Sequence, residues 1–451
     1  MGTSRELRTV PPDTLLRTEE VVAPPRRPAS GTRPPPVLLP WLRAQAINVT
    51  RHAAALRPFR REEFGTGDAA PSEGHIQAVN QLLGSLRRNL LRTTKQVTDA
   101  VTVTARQPTS LRLQDTLAHK ERAHWLVEGV ERIWDFYFEL FGQRQGQYAD
   151  WLLSCDRIAL DCYRVAYTGL GTARSVPAPP PFCYMRTGFA PATYRRGIPL
   201  RRLGKQLNPF PLVQLPYHRL VNPWTLAAVL HEVSHNLQSD LALTGDVPRN
   251  IASRLLRAKC GRFVASVWAR WNREIFSDLC GLLLGGPGMI GSLMDVVGRG
   301  PETVLTFNPT GVHPTPYFRT LINLELLRRM GFPDLAEQYR RAWIRIYPNP
   351  SAGNIPRTML DSFAEANVLA VDAICFQPYP SLGNKCLAQV IPFQPKEQEM
   401  IEEASRRLAA GVDPGIVPER FLIGAGRHAF DNKLARPGTI AKNFYLELAR
   451  R

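Results

Sequence analysis

A mainly helical chain with a small β component is what the sequence predicts, and three observations carry that reading. Apolar residues recur at helical spacing from about Ser72 to Gly169 and again beyond Pro316. One short stretch, Pro209-Phe-Pro-Leu-Val-Gln-Leu-Pro-Tyr-His-Arg-Leu-Val, reads instead as one or two strands. Between these, Leu220 to Leu237 combines Asn222 as an N-cap, Pro223 at the first helical position and an uninterrupted helix-forming run.

The elements follow in order. Residues 1–70 are broken by Pro11-Pro12, Pro24-Pro25, Pro28 and Pro34-Pro35-Pro36 among arginines and small residues. Prolines so spaced oppose a continuous helix or a central strand, so this segment is expected to be a disordered or extended arm. Its apolar strip Val37 to Leu42 then reads as a docking strip for a protein partner or a delivery machine. Residues 71–175 form a helical domain: Ile76, Val79, Leu82, Leu83, Leu86 and Leu90 share one face, and a second run extends from Leu111 to Leu153. Residues 176–330 begin with the Pro-rich connector Val176 to Pro181 and hold the strand-like stretch and the Leu220 helix. Residues 331–451 are helical again, at Pro333 to Tyr347, Thr358 to Ala373, Pro395 to Ala410 and Ile440 to Leu448. No internal repeat is found.

Within the Leu220 helix, residues 231 to 235 read His-Glu-Val-Ser-His. Two histidines four apart project from one helical face, so both imidazoles can reach one tetrahedral Zn²⁺ while Glu232 points toward a metal-bound water. A catalytic zinc keeps three protein ligands and an open position. The helix-like segment Trp268 to Gly281 contains Glu274 and Asp278, again four apart. One of these carboxylates can complete the ligand set, and the other can accept a hydrogen bond from the far nitrogen of a ligand histidine. A donor for the developing oxyanion is still required, and His313, Tyr317 and Arg319 are the candidates.

His231-Glu232-x-x-His235 followed by Glu274-x-x-x-Asp278 resembles the gluzincin metallopeptidases, whose thermolysin-like members carry a segment comparable to Glu274-Ile-Phe-Ser-Asp278. The resemblance implies a zincin-like core over 176–330 with helical additions on either side. It implies one Zn²⁺ held by His231, His235 and Glu274, with Glu232 as general base and Asp278 behind His231. His313-Pro-Thr-Pro-Tyr-Phe-Arg319 is similar to the His-Pro-x4-Arg motif of the CAAX-prenyl endopeptidase type, where the His and Arg lie beside the metal. No stretch here has the length and apolarity of a membrane span; Leu279 to Met294, interrupted by Gly285, Gly286, Pro287 and Gly288, reads as a buried helix and turn. The expected substrate is therefore a protein or peptide, with neither bilayer location nor prenyl group carried over. In zincins the substrate lies extended along an edge strand, which points to Gln214, Tyr217 and His218 as substrate-side residues.

Composition narrows the alternatives. The net charge of +18 is spread along the chain, and arginine far outnumbers lysine, which argues against a nucleic-acid-binding face. The run Arg195-Arg196, Arg201-Arg202 and Lys205 could line an acidic-substrate cleft or meet an acidic partner. Seven cysteines without a Cys-x-x-Cys pair suit a reducing compartment. With no apolar leader at the N-terminus, a soluble cytoplasmic enzyme is expected, or one exported by a machine that reads the Pro/Arg arm. Two other readings compete: a catalytically inactive adaptor stabilised by zinc, and a basic nucleic-acid-associated protein.

Overall fold

The computed structural model describes residues 34–171, 174–199 and 206–451. It opens on three helices, α1 (Leu38–Ala55), α2 (Glu73–Arg106) and α3 (Ser110–Gly142). The latter two span 34 and 33 residues, roughly 50 Å each, and form a long hairpin. Ser72 and Thr109 cap them, their side-chain oxygens accepting from the backbone N–H groups of His75 and Arg112. A narrow seam of Leu90, Val97, Val101, Val127 and Val130 holds the hairpin together.

α1 lies along this seam and buries Leu42, Ala46, Val49 and Ala53 against it. The expectation of an extended arm over residues 1–70 is thereby corrected for its described part, while residues 1–33 lie outside the described residues. Pro34, Pro35 and Pro36 precede the helix, and Pro40 sits in its first turn, where a missing N–H has no intrahelical acceptor to lose. The strip Val37 to Leu42 is divided: Leu42 is buried, whereas Val37 and Trp41 are exposed.

α4 (Ala149–Leu170) was expected to belong to the N-terminal helices, but its Cys155, Ile158, Ala159, Cys162 and Ala166 enter the central core. The three short strands β1 (Phe182–Met185), β2 (Ala192–Tyr194) and β3 (Leu212–Leu215) form one sheet in the order β1-β3-β2. β3 is central, parallel to β1 with Cys183 opposite Val213, and antiparallel to β2 with Thr193 opposite Val213. Alternation divides the faces. Phe182, Tyr184 and Leu212 face an aromatic cluster with Phe59, Phe64, Phe141 and Phe210 at the base of the hairpin, while Cys183, Val213 and Leu215 face the main core.

That main core is built by α5 (Tyr217–Val221), α6 (Ala227–Asp240), α7 (Asp246–Arg257), α8 (Arg262–Gly285), α9 (Gly288–Val297), α10 (Pro301–Val304) and α11 (Pro316–Arg329). Around them pack α12 (Pro333–Ile346), α13 (Arg357–Val371), α14 (Leu387–Val390), α15 (Pro395–Ala410), α16 (Phe421–Asp431) and α17 (Pro437–Arg450). α16, absent from the sequence reading, carries glycines at 424 and 426, residues that weaken a helical signal. The C-terminal helices close back on the core: Trp224 stacks on Phe430 at 4.4 Å, and Arg420 pairs with Asp161 of α4 at 2.9 Å.

α8 sets the geometry that matters for the site. It is buried continuously from Glu274 to Gly285. A Cβ at Gly285 would lie 2.4 Å from the Leu230 side chain, and one at Gly281 would lie 2.8 Å from Met289 and 3.6 Å from the His231 backbone nitrogen. Side chains at these positions would push α8 off α6. The apolar run Leu279 to Met294 becomes the end of α8, a turn and most of α9, as its glycines and proline suggest. Among the described residues no helix is long and apolar enough to cross a membrane.

Candidate metal centre

α6 begins later than the sequence suggests. Asn222 does not cap it; Pro223 to Thr225 form a 3₁₀ turn, the Asn222 carbonyl accepts from Thr225, and its side chain donates to the His218 carbonyl. The α-helix starts at Ala227, which still leaves His231 and His235 one turn apart on the same face. Their Nε2 atoms approach to 3.1 Å.

α8 supplies the acidic side. Glu274 Oε2 lies 3.5 Å from His231 Nε2, and Oε1 lies 3.4 Å from His235 Nε2. One turn further on, Asp278 Oδ1 is 2.8 Å from His231 Nδ1. α11 adds Arg319, whose Nε and Nη2 donate to the two Asp278 oxygens at 2.5 and 2.9 Å. Asp278 thus bridges His231 and Arg319, while Arg319 Nη2 also stands 3.5 Å from Glu274 Oε2.

These contacts fix the electrical state of each group. Burial works against a charged His231, but Asp278 and then Glu274 overcome it and hold the imidazole up at about 10. His235 is driven the other way, down to about 3, by burial and by the neighbouring His231. Glu274, despite burial, is held down at about 2 by His231, His235 and Arg319. Asp278 lies below the usual carboxylate range for the same reason, with Arg319 and His231 outweighing its burial. Glu232 differs from both: burial, with Glu274 adding to it against His231, raises it to about 7.

The three donor atoms fit a metal ion. Two imidazole nitrogens and a carboxylate, 3.1 to 3.5 Å apart, form one face of a small polyhedron. Tetrahedral zinc with arms of about 2.0 to 2.2 Å has edges of roughly 3.3 to 3.6 Å. Asp278 at His231 Nδ1 turns that ring so that its Nε2 points at the other two donors, where a metal ion would take the place of the Nε2 proton. His231, His235 and Glu274 are accordingly a group that could hold a metal ion.

The same three residues line a cavity of about 680 Å³ together with Glu232, Asp278, His313 and Arg319. His313 is exposed over 65% of its side chain and places Nε2 3.5 Å from Glu274 Oε1. Tyr317 is not in the lining: it is buried against Phe318 while its carbonyl accepts from Trp343 Nε1. The substrate-side residues expected from the strand also fall elsewhere. β3 is the central strand, so Gln214 accepts from the Tyr184 hydroxyl at 3.1 Å, Tyr217 packs on Tyr148, and His218 lies near Phe189. β2 is the edge strand at the cavity, contributing Ala192 and Thr193, and Thr193 Oγ1 accepts from Asn236 of α6 at 2.6 Å.

Sequence reading passed over β2 because three residues, Ala192 to Tyr194, are too few for a periodic signal. It passed over Arg270 and Arg273 as well, although Arg270 stands one helical turn before Glu274 and both line the cavity. Arg195, from the basic run expected near the metal helix, is there too, whereas residues 201, 202 and 205 of that run lie outside the described residues. Comparison of the chain with known protein families, with curated proteins and with solved structures finds no match.

Proposed function

We propose that the protein is a zinc-dependent peptidase of gluzincin type, with His231, His235 and Glu274 as the metal ligands. The observation that carries this reading is the position of Glu232. It lies beside the ligand face, lines the cavity, is almost fully buried and has its carboxyl raised to about 7. A site kept only to hold the fold together has no use for such a group.

When bound, a zinc ion supplies Lewis acidity and makes water a nucleophile near neutral pH. The chain's own residues do the rest. Glu232, poised near neutrality, takes a proton from the attacking water and returns it to the leaving amine. Asp278 orients His231, and Arg319 holds Asp278 ionised. Arg319 is therefore a positioning residue, because its shortest hydrogen bonds, from Nε and Nη2, go to Asp278. His313, exposed at the cavity beside Glu274, is the group left to donate to the developing oxyanion. The outer edge of β2 offers main-chain groups to an extended peptide.

Hydrolysis of a casein or peptide-library substrate by purified wild type and Glu232→Gln tests the proposal. The variant is expected to keep its metal and its fold and to lose several orders of magnitude in turnover, since an amide cannot accept the proton. Equal turnover in both proteins would assign the activity to something else.

A further inference from the structure

The cavity has a second, cationic end. Arg195 follows β2 and continues the alternation that places Thr193 on the cavity side, while on α8 Arg270 stands three residues before Arg273 and four before Glu274. None of these three guanidinium groups makes a hydrogen bond or ion pair with another described residue. Several arginines elsewhere are matched by carboxylates: Arg319 with Asp278, Arg420 with Asp161, Arg427 with Asp295 and Asp431.

Arg195 and Arg273 are also near enough to repel. Burial and then the charge of Arg273 both disfavour the charged form of Arg195, and the opposing carboxylate, Asp240, already accepts from the Tyr163 hydroxyl at 2.7 Å. The carboxyl groups that line the cavity do not relieve this: Asp278 and Glu274 face His231, His235 and Arg319, and Glu232 makes no ion pair with any of the three arginines. Like charges gathered without partners beside a cleft cost stability and mark a place where an anion completes the structure.

We propose that Arg195, Arg270 and Arg273 form a carboxylate subsite, so that the peptide lying along β2 is recognised by an acidic side chain or by its own C-terminal carboxylate. This rests on the peptidase reading above. The geometry also sets its distance from the chemistry. Arg270 is one turn of α8, about 5.4 Å, from Glu274, and an extended peptide advances about 3.3 Å per residue. The recognised carboxylate therefore belongs within about two residues of the scissile bond.

Binding to zinc-loaded Glu232→Gln protein, followed by fluorescence anisotropy with labelled decapeptides, separates the sources. One peptide carries a single Glu and an amidated C-terminus, a second has Gln in its place, and a third has no acidic side chain but a free C-terminus. The Glu peptide or the free-carboxylate peptide should bind about tenfold or more tightly than the Gln amide, as charge-assisted bonds require. Arg270→Glu and Arg195→Glu should remove that preference and Arg270→Lys should retain most of it. The exposed Arg273→Glu provides a variant least able to disturb folding, and metal content with melting temperature verifies each protein. Equal affinity for all three peptides, or a preference unchanged in every Arg→Glu variant, would overturn the subsite. The two readings fail separately: an arginine-dependent preference with no cleavage by wild type would sink the peptidase and leave the subsite, and cleavage indifferent to acidic residues would do the reverse.

Discussion

The α2–α3 hairpin and the α6–α8 pair are both helix-on-helix contacts, yet they bury opposite kinds of side chain. Along the hairpin the seam is aliphatic, and its buried polar contact is the hydroxyl pair Thr104–Thr116 at 2.8 Å, in which one hydroxyl donates to the other and the other to the Arg112 carbonyl. Between α6 and α8 lie two imidazoles and three carboxylates, answered by Arg319 from α11. Burying charge is costly unless it is paired, and an aliphatic contact of the same size would hold the helices at least as well. The difference teaches that the hairpin is explained by its packing alone, whereas the α6–α8 pair carries groups that packing does not require.

The largest effect expected in this comparison comes from Asp278→Ala. It leaves the Arg319 guanidinium buried without its partner and His231 without its anchor, so unfolding free energy should fall by about 3 to 5 kcal/mol and zinc affinity by roughly 10 to 100-fold. Denaturant titration and competition with a chelator measure the two. A loss below about 1 kcal/mol would mean the network is solvated and the contrast with the hairpin is overstated.

Glu232 provides an effect of opposite sign in the metal-free protein. Its folded-state value of about 7 lies above the ordinary 4.5, so the folded chain binds the proton more tightly and stability falls as pH rises between the two. Gln cannot ionise. Metal-free Glu232→Gln should therefore equal wild type below about pH 4.5 and exceed it by about 3 kcal/mol above about pH 7.5. Parallel unfolding curves at pH 4 and pH 8 are the measurement, and a variant less stable than wild type at pH 8 would contradict the burial of an uncompensated carboxylate.

Smaller changes sharpen the hairpin side. Val97→Ala, in the seam, should cost about 2 kcal/mol, whereas Trp125→Ala, on an exposed face of α3, should stay within about 0.5 kcal/mol. Neither should alter metal content. A change in metal content from either would show that the hairpin and the site are coupled.

How much of this was legible in the sequence depends on whether a residue's role is local. His231, Glu232 and His235 announce themselves because the period of one helix brings them together, and Glu274 and Asp278 do so for the same reason on α8. The long periodic helices were legible too, and Pro395 to Ala410 matches α15 at both ends. What failed was long-range. Gln214 to His218 read as a substrate edge because strand order is invisible in sequence, and only pairing shows that β3 is central and β2 lies at the cavity. Tyr317 shares a motif with His313 and Arg319, but in the first turn of α11 it is buried against Phe318, outside the cavity lining. The prolines near residue 36 suggested an arm, since a helix beginning just after them depends on the hairpin surface that receives Leu42 and Val49.

The central claim is that His231, His235 and Glu274 hold one metal ion, and elemental analysis of purified protein tests it most directly. Wild type and Glu232→Gln should each carry about one zinc per chain after reconstitution and dialysis, and His235→Ala should carry little or none. Wild type that retains no metal under those conditions, or His235→Ala that retains as much as wild type, would contradict the account.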